Sequence, residues 1–207
     1  CRILHWLVER GEEIAGLVVH PPGRARCADE LRSVSGLGDA QIRYGSDLEQ
    51  PEILEWLEHT APDMVISVFF GYLLRPAFLE RVNGRAINLH PSLLPFNRGA
   101  NPNIWSIVDG TPAGATLHYI DQGVDTGDIL AQRRVDVEPV DTGESLYGKL
   151  EDACVDLFRD AWPLFKAGKL NGMPQQQNGN THHFARDTEA IDRIDLDQHY
   201  PAGKLID

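Results

Sequence analysis

The sequence predicts an α/β fold, a mostly parallel sheet flanked by helices, and three observations carry that reading. Short apolar runs of strand length alternate with segments of helical periodicity along the first 110 residues. "MVISVFF", residues 64 to 70, is apolar on both faces, as a strand covered by helices on both sides must be. "AINLH", residues 86 to 90, reads as a buried strand that ends by placing Asn88 and His90 on alternate positions.

Taken in order, "CRILHWLVER" is an amphipathic helix with Ile3, Leu4 and Leu7 on one side, already under way at the first residue and closed by Gly11. A strand and a turn are expected upstream of Cys1. "EIAGLVVH" is a strand, and "PPGRARC" is an exposed loop by its Pro and Gly content. "PEILEWLEH" carries Ile53, Leu54 and Leu57 at helical spacing, with Pro51 suited to a first turn. After "MVISVFF", expected in the middle of a parallel sheet, come a short helix in "RPAFLERV", the strand "AINLH", and a helix from about Asn101 to Gly110.

From residue 114 the pattern changes. "GATLHYIDQGVDTGDILAQRRVDV" holds two strand-like runs around a Gly- and Asp-rich loop, either a hairpin or two strands with a longer connection. A long helix follows, with Thr142 or Ser145 as its cap, Pro163 as a kink and Gly168 as its stop. Residues 1–170 therefore form one Rossmann-like domain, and 171–207 a polar extension that is a tail or the start of a small subdomain. Its last stretch, "DLDQHYPAGKLID", reads as the start of a helix.

Composition narrows the function classes. At 207 residues with 42% hydrophobic content, the chain can fill one α/β core, and its net charge of −12 argues against nucleic acid or an anionic membrane as partner. Cys1, Cys27 and Cys154 form no CxxC pair, which fits a reducing cytoplasm and gives each a structural role. No apolar run is long enough to span a bilayer. "HH" at 182 and 183 lacks a third ligand at zinc-like spacing, so no metal is expected.

The chemistry gathers around Asn88 and His90. Residues two apart on a strand face one side, and the carboxyl ends of strands in open α/β sheets are where ligands bind. Asn brings an uncharged N–H donor, and His a proton exchangeable near neutral pH, a pair suited to an oxyanion. Asp121, Asp125 and Asp128 in the later loop are candidates to orient the imidazole. His118 reads equally as a second orienter or as a buried strand histidine with its own partner.

Over roughly residues 63 to 165 the sequence resembles the folate-dependent formyltransferase family. The resemblance is carried by Asn88, His90, Pro91, Ser92, Leu94 and Pro95, then His118, then Val124, Asp125 and Gly127. It implies a catalytic trio of Asn88, His90 and Asp125, with 10-formyltetrahydrofolate as formyl donor. It also implies a donor pocket between Phe70, Gly71, Tyr72, Leu73 and Leu74 on one side and Asp121, Gln122, Gly123 and Val124 on the other. On the acceptor side stand Ser92, Asn97, Arg98, Asn101 and Trp105. Ser92 reads as a loop-shaping hydroxyl, Asn97 and Arg98 either touch an acceptor phosphate or fix the loop, and Trp105 reads as core before stacking platform.

"PFNRGANPNIWSIVDGTP" looks most like the sugar N-formyltransferases, which makes the expected partner a small-molecule amine, a nucleotide-linked amino sugar. Formylation of an amino acid or other small amine stands next, then a formyltetrahydrofolate hydrolase. The acidic charge and short polar tail disfavour the methionyl-tRNA branch, and the loop disfavours the glycinamide ribonucleotide branch. A homodimer is left open as the assembly.

Overall fold

The computed structural model describes residues 1–24, 27–176, 179–191, 197 and 199. The final helix expected in 195–207 falls almost wholly outside the described residues. Among these, β1 (Leu17–Val19) pairs in parallel with β2 (Ile42–Tyr44), and β3 (Val65–Val68) in parallel with β4 (Ala86–His90). The chain then turns antiparallel: β4 pairs with β6 (Ala113–Tyr119), and β6 with β7 (Ile129–Val135). The later pair is thus a hairpin, closed by a nine-residue loop, 120 to 128. Two-residue strands β5 (Arg98–Gly99) and β8 (His182–His183) add a third parallel pairing.

Most helices lie where periodicity puts them. α1 (Arg2–Glu9) buries Ile3 and Leu7, α3 (Pro51–Thr60) starts on Pro51 and buries Ile53 and Leu57, α4 spans Pro76–Arg81, and α5 Pro102–Val108. α6 (Gly143–Lys166) settles the cap: Thr142 accepts from the Ser145 N–H at 3.1 Å while the Ser145 hydroxyl accepts from the Thr142 N–H at 2.9 Å. α2 (Ala28–Ser35) and β2 had no counterpart in the sequence reading.

Two apolar clusters clasp the central sheet. On one face α1 and α6 pack Ile3, Leu7, Leu157 and Phe158 against Ile87, Leu89, Ala115 and Leu117. On the other, α3 and α4 pack Ile53, Leu57, Phe78 and Leu79 against Ala86. The alternation along β4 is therefore literal: 87 and 89 face α6, while Ala86 faces α3 and α4, and Asn88 and His90 share its side. β3 departs from expectation. It has β4 as its one ladder partner among the described residues, and its four residues are half-buried, so it is an edge of the four-stranded sheet.

Candidate active site

Sheet register builds the polar centre. β6 runs beside β4 with Asn88 opposite His118 and His90 opposite Thr116, and since Ala115 and Leu117 face α6, Thr116 and His118 face the same side as Asn88 and His90. A register shift between Leu117 and His118 bends β6 where it meets the site. The loop after β6 then carries Asp125 back over the strand ends. Asp125 holds a left-handed conformation, φ 53°, one that Asp tolerates better than most side chains.

The carboxylate is the hub. Oδ1 accepts from Asn88 Nδ2 at 3.2 Å and lies 3.5 Å from His118 Nε2; Oδ2 accepts from the Gly99 N–H at 2.9 Å and lies 3.6 Å from His90 Nδ1. Both imidazoles are buried, His90 at 6% and His118 at 2% exposure, and the Asp125 side chain is 13% exposed. Burial opposes ionisation of Asp125, but the His90 charge, the His118 hydrogen bond and the Gly99 N–H outweigh it and hold the carboxyl far below its ordinary range.

The rings differ in what they can do. His118 Nδ1 lies 2.7 Å from the Tyr119 carbonyl, which can only accept, so Nδ1 carries a proton. Nε2, between Asn88 Nδ2 at 3.2 Å and Asp125 Oδ1 at 3.5 Å, accepts from the amide when unprotonated and donates to the carboxylate when protonated. His90 Nε2 likewise faces a carbonyl, that of Asn97, at 3.1 Å, which leaves Nδ1 as the basic position, turned to Asp125. Burial lowers the His90 pKa, against the raising influence of Asp125 and of the Asn97 carbonyl; His118 adds to the lowering. The resting ring is neutral at pH 7, and a proton added at Nδ1 would lie against the carboxylate.

Both His90 nitrogens are engaged in this state, Nε2 with the Asn97 carbonyl and Nδ1 towards Asp125, whose carboxyl stays ionised.

The acceptor-side residues sort just as clearly. Asn97 is 0% exposed and wholly engaged: Nδ2 donates to Ser106 Oγ at 2.9 Å and Thr111 Oγ1 at 2.7 Å, and Oδ1 accepts from Thr181 Oγ1 at 2.9 Å. It fixes the loop and does not face an acceptor. Ser92 is equally buried, with a hydroxyl that finds no partner, while its carbonyl accepts from Thr116 Oγ1 at 2.7 Å. Asn101 caps α5 through its backbone. Trp105 is buried and stacks on His183, ring centroids 4.0 Å apart and 5° from parallel, with His183 Nε2 3.1 Å from Asp109. Arg98 donates from Nε and Nη2 to Gln175 Oε1.

Gln175, Thr181 and His183 stand in the segment after α6, whose polar composition marked a tail. That segment crosses the site: Met173 exchanges two backbone bonds with Ile129, and β8 pairs with β5 beside Asp125. Among the described residues no group of three or more His, Cys, Asp or Glu gathers as metal ligands would.

On the donor side, Phe70, Tyr72 and Leu74 pack in the same cluster as Ile120, which leads into the Asp121–Val124 loop. Gly71, Tyr72 and Leu73 line an open cleft of about 380 Å³ with Gly45, Ser46 and Glu49, and the Gly71 N–H donates to His20 Nε2 at 3.2 Å. Asp121 Oδ1 accepts from the Gly123 N–H at 3.0 Å and from Thr126 Oγ1 at 2.5 Å, which sets the shape of the facing loop.

Fold and site define an α/β protein that gathers an amide, two imidazoles and an ionised carboxylate at the ends of its central strands. A family model described as formyl transferase matches residues 24–161, and the chain belongs to that family. The formyltransferase PseJ from Anoxybacillus kamchatkensis, solved with UDP-4,6-dideoxy-4-formamido-L-AltNAc and tetrahydrofolate, is 36% identical, with a TM-score of 0.64 over 84% of this chain and 87% of that one. A phosphoribosylglycinamide formyltransferase from Bacillus halodurans is 28% identical, with a TM-score of 0.68 over 80% and 89% of the two chains. Methionyl-tRNA formyltransferase of Geobacter sulfurreducens is 31% identical over 82% of this chain and 56% of its own length. The chain thus spans about half the length of the curated relatives it matches.

Proposed function

We propose that this chain transfers a formyl group from 10-formyltetrahydrofolate to the primary amine of a nucleotide-linked amino sugar, with Asn88, His90 and Asp125 as its catalytic residues. One observation carries the reaction class: Asn88, His90 and His118 converge on a single ionised carboxylate. The acceptor class is supported by the 36% identity to PseJ, whose structure holds a formamido-sugar nucleotide and tetrahydrofolate.

The donor supplies an activated formyl group; the rest is the work of side chains. As the amine adds, the formyl oxygen becomes anionic. Asn88 Nδ2 holds two long bonds at 3.2 Å, and exchanging one for a charged oxygen strengthens it. A donor so placed is worth about 3 kcal/mol in other acyl-transfer sites. His90 takes the amine's proton at Nδ1, and Asp125 stabilises the imidazolium that forms. As the tetrahedral centre collapses, the bond from the formyl carbon to the folate nitrogen breaks, that nitrogen takes the proton back from His90, and tetrahydrofolate leaves. The apolar and backbone surface around Phe70–Leu74, facing the Asp121–Val124 loop, would take the pterin.

Incubation with 10-formyltetrahydrofolate and a panel of amino-sugar nucleotides, aminoacyl carriers, glycinamide ribonucleotide and methionyl-tRNA tests the reading by a mass gain of one formyl group. A gain on the sugars supports it. Gain on methionyl-tRNA alone would move the acceptor to the class of the 31% identical relative. Rapid tetrahydrofolate release without any amine would replace transfer by hydrolysis.

A further inference from the structure

We propose that Gln175 is a positioning residue, whose side-chain amide ties the Asp125 loop to Arg98 and thereby keeps the carboxylate between Asn88 and His90. Its kinetic test rests on the formyl-transfer reading given above.

The amide spends all its capacity on this link. Nε2 donates to the carbonyls of Asp125 and Gly127, each at 2.8 Å, and Oε1 accepts from Arg98 Nε at 3.2 Å and Nη2 at 2.6 Å. A glutamine side chain offers two donors and two lone pairs, and here every one is matched. A glutamate in its place could still take the guanidinium fork but would set a carboxylate against two carbonyls. An alanine would leave all four contacts unmade.

The link closes a ring. Gln175 holds the main chain of Asp125; Arg98, held by the same amide, precedes Gly99, whose N–H donates to Asp125 Oδ2 at 2.9 Å. Main chain and carboxylate of one residue are thus fixed from two directions by a single side chain. That restraint matters because Asp125 sits at φ 53°, a conformation that costs energy unless its surroundings impose it. Gln175 itself arrives on firm backbone: Met173 exchanges bonds of 2.8 and 2.9 Å with Ile129, and the Thr181 carbonyl accepts from the Arg98 N–H at 2.9 Å. Gln175 contacts neither Asn88 nor His90, so its effect reaches the chemistry only through Asp125.

The test uses Gln175→Ala and Gln175→Glu in the full chain, with kcat and KM for both substrates, thermal unfolding, and the pH titration of the His90 ring by NMR. His90 is faced by Asp125, by the His118 ring and by the Asn97 carbonyl, and of these Asp125 is the residue that Gln175 bonds directly. Both variants are expected to lose about tenfold or more in kcat with KM within about twofold, since small misplacements of a catalytic group cost that much. In Gln175→Ala the His90 titration is expected to move to lower pH as its carboxylate drifts away, and in Gln175→Glu, where a carboxylate is added beside the Asp125 loop, it is expected to differ from wild type. Wild-type kcat together with a wild-type His90 titration in both variants overturns the proposal. If Gln175→Ala does not fold, Gln175→Glu, which keeps the Arg98 partner, decides. A wild-type chain that formylates no amine refutes the function proposed above, and the His90 titration then still judges Gln175.

Discussion

His90 Nδ1 and Asp125 Oδ2 face each other at 3.6 Å, the imidazole from the end of a buried strand and the carboxylate from a loop 35 residues later, while His90 Nε2 is committed to the Asn97 carbonyl. The only basic position on the ring is thus the one that a negative charge overlooks. A proton arriving there is stabilised by Asp125, and replacing the charge should be more damaging than its modest exposure implies. Asp125→Asn is expected to fold and to lose roughly 10³-fold in kcat, in line with removal of a group that supports proton transfer. The His90 ring of this variant, followed by NMR, should titrate at lower pH than wild type.

Transfer and donor binding should separate at His90. The ring sits with Asn88, His118 and Asp125, proposed above as the reacting centre, whereas Phe70, Tyr72 and Leu74 pack with Ile120 in an apolar cluster that does not include it. His90→Asn is therefore expected to reduce formyl transfer to background while binding 10-formyltetrahydrofolate within a few-fold of wild type, as read by equilibrium binding of the folate. Turnover retained in this variant would show that the imidazole is not the proton acceptor.

His90 and Asp125 both make the fold weaken in acid. His90 is held below its ordinary 6.5, so on acidification the unfolded chain takes up its proton first, and stability falls as pH drops below 6.5 toward the folded-state value. Asp125 is held below 3.8; its contribution is complete above that pH and is lost as pH falls through the folded-state value. Melting temperatures at constant ionic strength should be level from neutrality to about pH 8 and decline from about pH 6.5 downward. In His90→Asn the upper part of that decline should disappear.

What was legible in the sequence follows from the range of the forces involved. Period-two alternation in Ala86–His90 put Asn88 and His90 on one face, because a side chain's direction on a strand depends only on its own backbone. Pro51 and the Ile53–Leu57 spacing marked α3, and Thr142 with Ser145 marked the start of α6, for the same local reason. α2 went unread because none of its residues is buried, so no apolar stripe announces it; its signals were Asp29 and Glu30 in the first turn and Gly36, left-handed at its end. β5 and β8 have two residues each, too few for any period to show. Thr181 meets Asn97 across 84 positions and Gln175 meets Arg98 across 77, and polarity alone made 173 to 183 resemble a solvated tail.

Asn97 offers the sharpest choice between holding a loop and holding a substrate. Its amide is 0% exposed and serves Ser106, Thr111 and Thr181, its own N–H donates to Thr181 Oγ1 at 2.7 Å, and its carbonyl accepts from His90. It also sits at φ 54°, where alanine is strained. Asn97→Ala leaves the buried Ser106 hydroxyl and the half-buried Thr111 and Thr181 hydroxyls short of a partner, at about 1–3 kcal/mol for a buried group left unsatisfied, so a loss on the order of 2–4 kcal/mol is expected in urea unfolding. Because the side chain faces no acceptor, KM for the amine should change by less than about threefold, well under 1 kcal/mol, in whatever fraction stays folded. A large rise in that KM with stability intact would place Asn97 in the acceptor site instead.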